Sequence, residues 1–129
     1  MKEESKVGLA SEFLSKLIEK LNSNEKAQAV FETNIEGKTR EWEMSFQFNL
    51  DNEKPFYLLI KNRRVQLTHG TKLDAEIVMS GNNNAIIRIC EGKGDFTHAI
   101  SREQITVKKG KVMDVIRLTR AITIVLKTK

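Results

Sequence analysis

Apolar and polar positions alternate most cleanly in the stretch where Trp42, Met44, Phe46 and Phe48 interleave with Glu41, Glu43, Ser45 and Gln47. A period of two sends successive side chains to opposite faces, so this stretch predicts a strand with one buried face. Upstream, Ala27, Ala29, Phe31, Thr33 and Ile35 alternate with Gln28, Glu32 and Asn34, predicting a first strand that turns back at Glu36-Gly37-Lys38. Downstream, Asp51-Asn52-Glu53 marks another turn, and Pro55 stands where a strand can begin without donating a ladder hydrogen bond. Phe56, Leu58 and Ile60 continue the apolar face; Lys61-Asn62-Arg63 turns the chain into Val65 and Leu67, so residues 56–68 read as a hairpin. The N-terminal segment has a different period. Leu9, Phe13, Leu14, Leu17, Ile18 and Leu21 recur three and four apart, predicting an amphipathic helix over Ser5 to Asn22 whose stripe packs on the sheet.

The centre of the chain carries a local signal at almost every break. The run from Leu73 to Ser80 predicts a strand ended by Gly81 and three asparagines, of which Asn83 or Asn84 suits the N-cap of a helix from Ala85 to Glu91. Gly92-Lys93-Gly94 stops that helix. Asp95 caps a second one over Phe96 to Glu103, with Phe96, Ala99 and Ile100 on one side. Ile105-Thr106-Val107 follows as a strand ending at Lys109-Gly110, so two short helices form a lid over one end of a sheet. A final helix begins near Val112, its stripe formed by Val112, Val115, Ile116, Thr119, Ile122 and Leu126, with Met113 and Leu118 beside it. The β-branched run Ile122-Thr123-Ile124-Val125 weakens helix formation and places the expected helix end near residue 121.

Composition sets the class. The chain has 129 residues, 40% of them hydrophobic and 30% charged, which is a single globular domain with enough apolar material for one core. No run is long enough to cross a bilayer, and the start of the chain shows no apolar leader core, so a cytoplasmic location is expected. A single cysteine, Cys90, excludes an internal disulfide and reads as an inert core thiol. The net charge of +5 gathers in Lys61, Arg63 and Arg64, in Lys108, Lys109 and Lys111, and in Arg117 and Arg120. These groups could meet phosphates of a lipid headgroup, a thioester cofactor, a nucleic acid or an anionic membrane surface; the plainer reading is solubilising turn charge.

Catalytic signatures are missing. There is no phosphate-binding glycine loop, no dinucleotide fingerprint and no zinc-ligand spacing around His69 and His98. Asp95 and His98 stand three apart at a helix start, where an acid–base pair is geometrically open, but the simpler role for Asp95 is the cap. The expectation is therefore a non-enzyme with no catalytic residue, no metal and no cofactor. The aromatic residues Trp42, Phe46 and Phe48 alternate with acidic and neutral positions and not with basic ones, so no nucleic acid is expected as a partner.

The ordered set Asp74-Ala75-Glu76-Ile77-Val78-Met79, two lid helices, Glu91-Gly92-Lys93-Gly94-Asp95-Phe96, Ile105 to Gly110 and a closing helix resembles the sterol carrier protein type-2 family of lipid-binding domains. Trp42 also matches a tryptophan of the family's second strand. The resemblance spans nearly the whole chain and is strongest from about residue 40 to 121. Two features depart from the family: Arg102-Glu103-Gln104 replaces a Gly-Lys before the last strand, and Leu126 to Lys129 carries no peroxisomal tripeptide. The latter points to a prokaryotic or cytosolic protein and away from sterol as the natural ligand.

The resemblance implies an α+β fold: a mostly antiparallel sheet of five strands, six if the hairpin counts as two, with helices on one face and an apolar tunnel between. Trp42, Met44, Phe46, Phe48, Phe56, Leu58, Ile77 and Met79 would line the sheet side. Ile86, Ile87, Phe96 and Ile100 would form the lid, and Val112, Met113 and Ile116 would close it. The implied function is carriage of a fatty acid, acyl thioester or sterol-like lipid, with transient contact to an anionic membrane. Periodicity does not distinguish residues that line a cavity from residues that fill a core. An interaction module with a vestigial pocket, active as a homodimer, therefore stays open, and an RNA-binding protein is the remaining alternative.

Overall fold

The computed structural model describes residues 9–128. Helix α1 (Ala10–Leu21) is followed by a short helix α2 (Glu25–Ala29) and a hairpin of β1 (Glu32–Ile35) and β2 (Lys38–Glu41). Then come β3 (Met44–Leu50), β4 (Phe56–Lys61), β5 (Arg64–His69), β6 (Ile77–Gly81), α3 (Asn83–Cys90), α4 (Phe96–Ser101), β7 (Ile105–Lys109) and α5 (Val112–Lys127). The main sheet has the order β5-β4-β3-β6-β7, while β1 and β2 form a separate two-stranded sheet. All pairs are antiparallel except β3 with β6, so the sheet is mixed. The α+β architecture expected from the sequence is present, with that one parallel pair inside it.

The expected strand from Ala27 is instead helical up to Ala29. The Asn24 side chain accepts a hydrogen bond from the Ala27 amide at 3.0 Å, and this cap starts a turn of helix in the good helix formers Glu-Lys-Ala-Gln-Ala. The long alternating strand is also interrupted. Glu41 ends β2, Met44 starts β3, and Trp42 lies at the corner between the two sheets with its amide donating to the Phe31 carbonyl at 2.7 Å. The tight turn at Asn62-Arg63 holds both residues at positive φ, 55° and 61°, the geometry that suits a two-residue hairpin.

Helix α1 buries Leu14, Leu17, Ile18 and Leu21; Ser5 to Gly8 of the expected helix lie outside the described residues. Burying those four side chains contributes about 1.5–3 kcal/mol each as an upper estimate, more than a helix cap supplies. Both ends of α1 are nonetheless tied. Glu53, in the turn after β3, accepts from the Ala10 and Ser11 amides at 2.8 and 3.3 Å. At the other end the Asn22 side-chain amide donates to the Val65 carbonyl at 2.9 Å and accepts from the Val65 amide at 2.8 Å, pairing with edge strand β5 as a backbone unit would.

Residues 70–76 cross the sheet from the end of β5 to the start of β6, over the face opposite the helices. Gln47 and Ser45 point there, both 2% exposed. Gln47 accepts from the Lys72 amide at 2.7 Å and donates to the Phe56 and Gly70 carbonyls. Ser45 accepts from the Glu76 amide at 2.9 Å, and the Glu76 carboxylate accepts from the Ser45 amide at 3.1 Å. This crossover replaces the early part of the strand expected from Leu73, whose side chain is 94% exposed, and β6 begins only at Ile77.

The two lid helices stand where the sequence places them, with shifted ends. Asn82 is the N-cap of α3, accepting from the Asn84 amide at 2.8 Å, and α4 stops at Ser101. Helix α5 runs past residue 121 to Lys127 because Ile122 and Val125 are buried, and tertiary packing outweighs the weak propensity of the β-branched run.

Gly110 joins β7 to α5 at φ 97°, and a Cβ there would meet the Glu76 carbonyl oxygen at 2.8 Å and the Ile77 side chain at 2.5 Å. Gly110→Ala is expected to destabilise by about 2 kcal/mol or more, since strain and collision add. Gly92→Ala, at φ 81° but with open space around the new methyl, should cost about 1 kcal/mol. Chemical denaturation midpoints of the two variants check the difference.

Candidate functional site

Strand register brings the sheet residues singled out by the sequence into two rows on the helix-facing side. Phe46 stands opposite Leu58 on one side and Ile77 on the other; Phe48 stands opposite Phe56 and Met79. All six are at most 1% exposed. From the cover, Ile87 of α3 and Phe96 of α4 are buried against the same core, and Ile100 is half-buried at its edge. The rings are in contact. Phe48 stacks on Phe56 with centroids 5.0 Å apart and planes within 8°, and Phe96 reaches Phe48 at 6.4 Å. Sheet and lid thus meet through aromatic side chains in this conformation.

Trp42 and Met44 sit half-buried at the margin of that core. Met113 and Ile116 are not brought to it. Met113 is 70% exposed, Ile116 is half-buried, and both line a surface groove of about 390 Å³ between α2 and α5, with Val30, Arg117 and Arg120. The buried stripe of α5 is Val115, Leu118, Ala121, Ile122 and Val125. Apolar residues occur on several sides of this helix, so the pattern alone leaves its rotation ambiguous.

One residue gains a role that no sequence signal indicates. The Arg117 guanidinium lies 4.5 Å from the centre of the Trp42 ring. It donates to the Val30 carbonyl at 2.7 Å, the Glu32 carbonyl at 2.9 Å and the Thr33 hydroxyl at 3.0 Å. Trp42 in turn stacks on Phe31 at 5.8 Å and meets Phe46 edge-on at 6.1 Å. Arg117 therefore clamps α2, the β1–β2 arm and α5 around the tryptophan. Burial, with Arg120 adding like charge, holds the Arg117 pKa below its ordinary value.

A second groove, about 280 Å³, runs between α1 and the last turns of α5. Phe13, Leu17, Cys90, Val125 and Leu126 supply apolar lining, and Lys16 and Lys20 stand on the α1 side. A hollow of about 570 Å³ adjoins it, sharing Lys20, Val125 and Thr128 and including Glu19. Burial pushes the Cys90 thiol up to about 12, so it is held as the neutral thiol.

Polar chemistry elsewhere is structural. The Asp95 carboxylate accepts from the His98 amide at 2.9 Å and lies 3.1 Å from its exposed ring, which is the capping geometry. Arg63 pairs with Glu32 at 2.9 Å and Lys72 with Asp74 at 2.9 Å, so part of the basic charge is answered within the fold. Among the described residues no cluster of three His, Cys, Asp or Glu side chains could hold a metal ion.

A mixed five-stranded sheet with its apolar face under a layer of short helices is the fold of sterol carrier proteins, and solved structures agree. The ubiquinone synthesis protein UbiJ-SCP2 superposes with a TM-score of 0.65 at 12% identity, covering 90% of this chain and 94% of that one. Sterol carrier protein 2 superposes at 0.59 with 15% identity, covering 95% and 98%. The inverting sec-alkylsulfatase Pisa1 from Pseudomonas sp. matches at 0.54 with 12% identity over 67% of this chain, which spans only 13% of that much longer enzyme. No curated protein matches the chain. Residues 19–122 match the SCP-2 sterol transfer family, and the protein belongs to that family. Membership supports lipid binding or transfer in general terms.

Two measurements bear on this geometry. Arg117→Met should lower stability by about 2 kcal/mol and shift Trp42 emission, because a charge-assisted hydrogen-bond set and a cation–π contact are lost together. The Cys90 thiolate fraction at pH 8, with the pKa raised from 9.0 to about 12, should be roughly a thousandfold lower than for an unperturbed thiol. Iodoacetamide should therefore label the native protein far more slowly than the unfolded chain.

Proposed function

We propose that the protein is a non-enzymatic binder and carrier of an apolar lipid, held between the sheet face and the helices above it. Family membership, combined with an apolar sheet face that lies under a lid of short helices, carries this reading. The rings of Phe48, Phe56 and Phe96 occupy that space, so a guest must part the lid from the sheet. Withdrawing Phe96 from its contacts costs about 1.5–3 kcal/mol, whereas ten buried methylenes recover roughly 8 kcal/mol, so a long acyl chain can drive the opening. A short or polar molecule cannot. The ligand class is accordingly a long-chain fatty acid, acyl thioester or comparable lipid, and no cofactor is needed for such carriage. Lys108, Lys109 and Lys111 beside the exposed Val112 and Met113 suit transient contact with an anionic membrane during exchange. No helix among the described residues is long and apolar enough to cross a membrane.

The filled aromatic contact favours one other reading, an interaction module whose pocket has closed and which acts as a homodimer through exposed apolar residues such as Met113. Lipid analysis separates the two. Denaturing extraction of the purified protein, followed by mass spectrometry, should release lipid, and a fluorescent fatty acid should titrate to saturation near one equivalent. A protein that yields no lipid, shows no saturable uptake and sediments as a dimer would favour the module.

A further inference from the structure

We infer that the groove between α1 and the end of α5 is the mouth of the lipid site and that it receives the anionic head of a single-chain amphiphile. This rests on the lipid-carrier reading and adds to it a position, a head-group charge and a chain number. Phe13, Lys16, Leu17 and Lys20 follow the spacing i, i+3, i+4, i+7, so they form one stripe of α1. All four line the groove, opposite Val125 and Leu126 of α5. The stripe thus alternates apolar residues with two ammonium groups one helical turn apart. Like charges at that spacing repel each other, and an anion seated between them removes the repulsion and gains two charge-assisted contacts. Among the described residues neither lysine is in an ion pair. Of the acidic residues of α1, Glu12 and Glu19 both stand outside the lining of the groove, Glu19 in the adjoining outer hollow.

The apolar part of the groove continues inward. Leu17 and Val125 line it and also belong to the core that contains Phe48 and Phe96. A chain whose head rests on Lys16 and Lys20 therefore points its tail toward the interior. At about 280 Å³ the groove lies at the small end of ligand sites, which suits one unbranched chain and not a fused-ring nucleus. Its α5 side is Val125 and Leu126, directly after the β-branched run Ile122 to Val125, which has the weakest intrinsic helix propensity in α5.

The test compares palmitate with hexadecanol as competitors for a bound fluorescent fatty acid, using the full chain and the double variant Lys16→Glu, Lys20→Glu. Both positions are exposed, so the variant should fold. Palmitate should bind the variant about fivefold or more weakly, and hexadecanol within about twofold of the original chain. A second variant locates the site: in Leu126→Trp, bromopalmitate should quench the introduced tryptophan while Trp42, which packs on Arg117 about two and a half turns earlier in α5, keeps its emission. Unchanged palmitate affinity in the double variant, or no quenching of the introduced tryptophan by bound bromopalmitate, overturns the mouth assignment while leaving the carrier reading standing. Failure of the original chain to bind either palmitate or hexadecanol overturns both.

Discussion

Strand β3 is buried on both faces, and the rest of the fold follows from that constraint. Phe46, Phe48 and Leu50 must be covered on one side, which requires the layer of helices; Ser45 and Gln47 must be covered and hydrogen-bonded on the other. Two buried polar side chains left unpartnered would cost about 1–3 kcal/mol each. The crossover of residues 70–76 prevents this by delivering the Lys72 and Glu76 amides to them. The same crossover makes β6 parallel to β3, so the one departure from an antiparallel sheet is the means by which the polar face of the central strand is satisfied.

The aromatic contacts on the helix-facing side have two aspects. They hold the lid on the sheet through direct ring packing, and on the carrier reading proposed above they occupy the volume a lipid would need. On that reading, carriage is an exchange of one apolar contact set for another. No empty tunnel then has to be maintained between guests, which would forfeit packing energy.

Much of this was legible in the chain. Turns announced by Asp51-Asn52-Glu53, by Asn62-Arg63 and by Gly92-Lys93-Gly94 are where the residues place them, because their chemistry is local. The sheet-face residues were readable for the same reason: period two survives any tertiary context that keeps the strand. What sequence could not supply was long-range. Ala27 and Ala29 alternate like strand residues, yet the cap from Asn24 turned them helical. The sequence groups Met113 and Ile116 with the core because α5 carries apolar side chains on several sides, and only packing selects which of them face inward. Arg117 stood in a basic group without distinction; its seat on Trp42 joins residues 75 positions apart, and no spacing rule encodes that. The lysine-lined groove likewise exists only where α1 meets the last turns of α5.

Helix α1 behaves as a beam held at both supports. A carboxylate from the far tip of the sheet grips its first amides, and the Asn22 side chain at its other end splices into the outermost strand. The turn that carries that carboxylate also holds the start of α3, where Asp51 accepts from the Asn83 amide at 2.9 Å and Glu53 accepts from the Asn83 side chain at 3.3 Å, so one loop fixes the entry of two helices over the sheet.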